Sequence, residues 1–134
     1  MIDWAARPTV ERMTREQMIA EFGETGVENA KIVDLLEVDP VSGDVVLVMI
    51  ERRPWGADPR QFQQIEEKIN RYLGYALDGH LAEHYPRYQG KHVAIRLDCV
   101  EAPAGEALRF VDAAAHAASA HGVEFVAQVS PPRA

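Results

Sequence analysis

Three features of the sequence point to an α+β domain. The expected form is a two-layer α/β sandwich with a mixed four-stranded sheet, two main helices on one face and a short N-terminal helix. Two aliphatic runs, Lys31 to Val38 and Val45 to Glu51, flank the turn-forming stretch Asp39 to Asp44 and read as a β-hairpin. Two amphipathic helical patterns follow, one from Asp58 and one from about Gly105, and each leads into a strand pattern. Right-handed crossovers between the last three strands put both helices on the same side of the sheet, which predicts strand order 1-2-3-4 with the first strand antiparallel.

Each element has its own signal. Thr14-Arg15-Glu16-Gln17 has the form of a capping box and predicts a short helix to about Phe22, with Met18, Ile19 and Phe22 on one face. The run Val45-Val46-Leu47-Val48-Met49-Ile50 lacks polar alternation, so both faces of this central strand should be covered, either by the N-terminal helix or by a second copy of the chain. Asp58-Pro59 offers an N-cap and a first-turn proline for a long helix. Along it, Phe62, Ile65, Ile69, Leu73, Ala76 and Leu77 form an apolar stripe, and Gln63, Glu67, Lys68 and Arg71 fall mainly on the opposite side. Gly79 ends this helix, or the pattern runs on through Leu81 until Pro86 stops it. Val93 to Val100 alternates as a strand, Gly105 to His121 reads as the second main helix with Gly122 at C′, and Val123 to Val129 is the last strand.

The 134 residues suit one domain, 1–134, with its core over about 31–129 and a frayed tail from 130 to 134. Hydrophobic and charged contents of 47% and 26% are those of an ordinary packed fold. With 14 basic against 21 acidic residues the net charge is -7, which argues against a phosphate backbone as partner. The single Cys99 cannot make an internal disulfide, Met1 to Val10 lacks a signal-like apolar stretch, and Val45 to Ile50 is too short to span a membrane. A cytoplasmic protein is expected. No phosphate loop, nucleophile elbow or dinucleotide fingerprint occurs, so no cofactor is expected.

A set of short motifs adds a resemblance. Val33-Asp34, Ser42-Gly43-Asp44 leading into Val45-Val46-Leu47, Trp55, Glu67-Lys68-Ile69-Asn70 with Tyr72-Leu73, Tyr85-Pro86, and Gly90-Lys91 before Val93 together resemble a bacterial family of unknown function, the domain of unknown function 6572 family. The resemblance covers most of residues 31 to 129 and departs at Ile65-Glu66, where relatives tend to show Leu-Gln. It implies the fold and brings no activity, cofactor or catalytic residue.

Candidate chemistry is sparse. His80 and His84 have the i,i+4 spacing of two metal ligands, but their order matches no zinc-protease pattern and helix C-terminal histidines also answer to the helix dipole. Cys99 with His92 or His116 could be imagined as a nucleophile and base, yet Cys99 shares the strand face of Val93, Ile95 and Leu97 and reads as a buried thiol. Asp44, Glu51 and Arg53 superficially resemble a metal-dependent nuclease set. The segment that stands out is Arg52-Arg53-Pro54-Trp55, which leaves the C-terminal end of the central strand, the edge where parallel sheets meet ligands. The next strand delivers Asp98 and Glu101 to the same edge. The expected function is therefore non-enzymatic protein interaction through Arg52, Arg53, Trp55, Asp98 and Glu101, with an unknown protein or a second copy as partner. The alternative is a small-molecule-binding or enzymatic cleft around Arg52, Arg53 and Asp98.

Overall fold

Asp39 organises the hairpin turn. Its Oδ1 accepts the amides of Val41 at 2.8 Å and Ser42 at 3.1 Å, and Gly43 (φ +78) closes the turn by donating to the Asp39 carbonyl. The computed structural model describes residues 23–130. In it, strand β1 (Leu35–Val38) runs antiparallel to β2 (Val45–Glu51), with Leu35 opposite Val48 and Val38 opposite Val45. Strand β1 is shorter than the aliphatic run from Lys31, because Asp34 turns inward to accept hydrogen bonds and residues 31–34 bend around it. The predicted N-terminal helix over Thr14 to Phe22 and the tail from Pro131 lie outside the described residues.

Strand β3 (Val93–Cys99) pairs in parallel with β2, and β4 (Glu124–Val129) pairs in parallel with β3, so the order is β1-β2-β3-β4. Helix α1 (Gln61–Leu77) begins three residues after Asp58. That aspartate closes a turn before the helix instead of capping it, its Oδ1 accepting the Arg60 amide at 2.8 Å. Both anticipated stops at the other end are used. Gly79 (φ +87) breaks the helix in a left-handed conformation that other residues adopt at a cost, a short α2 (His80–His84) follows, and Pro86 opens a single 3-10 turn to Tyr88. Helix α3 (Glu106–Ser119) ends in a Schellman motif: Gly122 (φ +75) donates to the Ser119 carbonyl and Val123 to the Ala118 carbonyl.

Both main helices share one face of the sheet, as the aromatic stack of Phe62 (α1) on Phe110 (α3) at 4.7 Å shows. Leu47 and Met49 of β2, Ile95 and Leu97 of β3 and Phe125 of β4 pack there against Ile65, Ile69 and Tyr72 of α1 and Val111 and Ala118 of α3. Val48 and Ile50, which point to the other face of β2, are buried as well, so the central strand is covered on both sides as its unbroken aliphatic run requires. No helix of the described residues is long and apolar enough to cross a membrane.

Candidate functional site

Because β2, β3 and β4 are parallel, their C-terminal ends lie on one edge, and the chain leaving β2 crosses it. Glu51, the last residue of β2, has a fully buried side chain, and a carboxylate taken out of water needs a partner. Arg53 supplies it with a two-pronged fork, Nε to Oε1 and Nη2 to Oε2, each at 2.8 Å, while the Arg53 amide also donates to Oε1. Asp58 at 3.5 Å and Glu28 at 3.9 Å add further negative charge, and these bonds, led by those to Glu51, push the Arg53 pKa upward. Arg52 turns elsewhere and donates to the carbonyl and hydroxyl of Thr25, both at 2.7 Å.

Trp55 is held at two points by one residue. Its amide donates to Glu101 Oε1 at 2.8 Å and its indole Nε1 to the Glu101 carbonyl at 3.0 Å. The buried Gln61 staples the rest of the loop, accepting from the Gly56 amide and donating to the Pro54 carbonyl. The half-buried indole sits 6.2 Å from the Phe62 ring, which itself stacks on Phe110, so an aromatic row runs from the loop across both main helices.

The structure thus brings Trp55 and Glu101 together and keeps Arg52, Arg53 and Asp98 on separate partners. Asp98 lies on the opposite sheet face, where it accepts from Arg96 Nε at 2.7 Å, and Arg96 reaches Glu37 of β1 at 3.1 Å. The nuclease-like set is split: Asp44 and Glu51 sit at opposite ends of β2, roughly 23 Å apart at about 3.3 Å per residue. Cys99 and His92 are separated in the same way along β3, with His92 beside Asp44 at 3.3 Å. Burial pushes the Cys99 thiol up to about 11, and its Sγ donates to the Gln128 carbonyl, so it carries no thiolate near neutrality. His84 Nδ1 is engaged with the Tyr75 hydroxyl at 2.7 Å and His80 lies 4.0 Å from Glu83. Among the described residues no group of three His, Cys, Asp or Glu side chains is placed to share a metal ion.

One polar centre escaped the sequence reading. Lys68, expected on the solvent side of α1, is fully buried and pairs at 2.7 Å with the equally buried Asp34. Its other N–H groups go to the carbonyls of Gly26 and Asn29, each at 2.7 Å. Asp34 also accepts the amides of Gly26 and Ile50, while Tyr72 accepts from the Asp34 amide and donates to the Val48 carbonyl. Burial lowers the Lys68 pKa, with the Asp34 charge opposing that shift. A lysine with three donors spent on three acceptors has none to offer a substrate, so the network is a clamp that fixes residues 25–34 on α1 and β2. The signal lay in the spacing: Ile65, Lys68, Ile69 and Tyr72 follow i, i+3, i+4, i+7, which puts the lysine inside the apolar stripe.

No curated protein and no solved structure matches the chain. The model of a family of unknown function, DUF6572, matches residues 25–131, a span that opens at the clamped segment and takes in every strand and helix described above, and the chain belongs to that family.

Proposed function

We propose that the protein is a non-enzymatic interaction domain of the cytoplasm, and that it binds another protein through the Trp55 loop and the aromatic row beside it. The observation that carries this reading is the double anchoring of Trp55 to Glu101, which holds a half-exposed indole in one orientation before any partner arrives. Trp and Arg dominate the energetic centres of interfaces, and a loop already fixed loses little entropy on docking. Arg53, however, is consumed by Glu51 and Asp58. The contact therefore presents aromatic surface with the carboxylates of Glu28 and Glu101 beside the loop, and suits an apolar segment flanked by basic residues. The alternative of a ligand cleft is weakened by the separate engagements of Arg52, Arg53 and Asp98.

Affinity capture from native lysate with the wild-type chain and with Trp55→Ala, paired with thermal melts of both, tests the reading. The expected result is a partner retained by the wild type and lost by the variant, with a small change in melting. If Trp55→Ala instead costs the ~3–5 kcal/mol typical of a deleted core aromatic and still captures the same protein, the tryptophan is a core plug and the reading fails.

A further inference from the structure

The two edges of the sheet differ. Strand β1 has four residues, bears Glu37 and runs into Asp39-Pro40, short and charged in the way that edges are kept from pairing. Strand β4 has six residues with no Lys, Arg or Pro, and leaves Val126 at 41% and Val129 at 51% exposure. The Ser130 amide donates to the Cys99 carbonyl at 2.9 Å. Successive residues of a strand direct their main-chain groups to alternate sides, so residues 124, 126 and 128 also face β3. The N–H and C=O groups of Phe125, Ala127 and Val129 therefore point outward from the sheet. Above this edge lies one flank of α3. Phe110 marks the flank toward α1, and Leu108, two residues and about 200° away around the helix, lies on the other flank and is 44% exposed.

We propose that β4 is a self-association edge: a second copy of this chain adds its own β4 antiparallel about a two-fold axis at Ala127, joining the two four-stranded sheets. In this register Ala127 meets Ala127 and Phe125 meets Val129 of the other copy, and each such pair exchanges two main-chain bonds, so every outward group of the strand is satisfied. The pairing places α3 beside its counterpart on the same face and covers Val129 and Leu108. Charge allows a copy of the same chain at this edge although the whole chains repel. Two chains of net charge -7 repel, yet residues 124 to 130 carry a single carboxylate, Glu124, which falls opposite Ser130 and not opposite another acid. Pro131 and Pro132 follow directly in the sequence, and without an N–H neither can donate to a longer ladder.

Light scattering over a wide range of concentration, combined with hydrogen exchange, tests this edge independently of the Trp55 loop. The wild type is expected to reach twice the 14.9 kDa chain mass, with the amides of Phe125, Ala127 and Val129 protected in step with dimer formation. Ala127→Pro, which removes an outward donor, and Val129→Lys, which puts a charge at a half-exposed position, are both expected to stay monomeric. Should Ala127→Pro fail to fold, Val129→Lys and the exchange data decide. A wild type that is monomeric throughout overturns the proposal. So does a dimer that persists in Val129→Lys, or one in which the three amides exchange as fast as in the dilute protein.

Discussion

At the residue scale the dominant feature is the number of charges taken out of water in pairs. Lys68 and Asp34 are both fully buried, and breaking such a pair costs more than making it gained, because the survivor is stranded without solvent. Lys68→Met is therefore expected to lower unfolding stability by about 3–5 kcal/mol in urea titrations, and Lys68→Met with Asp34→Asn to lose less than the sum of the two single changes. A merely additive pair would show that the clamp is not coupled. Cys99 gives a pH-dependent counterpart. Its thiol is raised from 9.0 to about 11 by burial, so between those values the unfolded chain releases a proton that the folded chain keeps, and stability falls as pH rises. Tyr72 and Tyr75, also raised by burial, add to that loss at higher pH, while the lowered Lys68 acts with the opposite sign. Cys99→Ala should flatten the decline at the start of this window, with unfolding measured at pH 8, 9 and 10. An unchanged slope would place the alkaline loss elsewhere. Lys68 also marks what sequence inspection misses. A charged residue was assigned outward by type although its spacing assigned it inward, and three backbone and side-chain acceptors, far off in sequence, outweigh the preference of lysine for water.

The elements themselves were legible because local rules and tertiary packing agree. The aliphatic run of β2 is buried on both faces, and the Ala-rich stretch before Gly122 forms α3 and ends where a left-handed residue was expected. A Cβ at Gly122 would meet nothing within 4 Å, so any cost of adding one comes from backbone conformation alone. Gly122→Ala is expected to cost about 1 kcal/mol, the scale of forcing an L-residue into the left-handed region, with the helix end fraying in amide exchange. A neutral result would mean that the Schellman turn relaxes without loss. Boundaries were less legible where side chains compete with the backbone. Asp58 closes a turn of its own and delays α1, and Asp34 removes four residues from the start of β1. The candidate site was read in part for the same reason. The strand-end edge follows from topology, which placed Trp55 and Glu101 within reach of each other. Asp98 reaches the same edge but not the same face, because the alternation that turns Leu97 and Cys99 toward the helices turns Asp98 with Arg96 to the far face.

At the scale of the whole molecule, the question is where the folding unit begins. Periodicity alone starts the core near residue 31, where the first aliphatic run opens. The packing starts it earlier. Val27 is 1% exposed within the core, and its amide donates to the Ile50 carbonyl at 3.0 Å, extending the hydrogen bonding of β2 beyond the hairpin. Thr25 receives Arg52, and the carbonyls of Gly26 and Asn29 take two of the three donors of buried Lys68. Cutting the chain before Lys31 therefore removes no helix or strand of the described residues, yet it strips a core side chain and leaves a buried ammonium with Asp34 as the one of its three acceptors that remains. Each unsatisfied buried group costs on the order of 1–3 kcal/mol, and the whole stability of a domain this size is only about 5–15 kcal/mol. Two truncations differing only by this segment separate the views. A chain starting at Glu24 is expected to unfold cooperatively in urea, and one starting at Lys31 to show a broad, shifted transition or none. Equal midpoints and slopes for the two would mean that the clamp is an ornament on a core that folds without it.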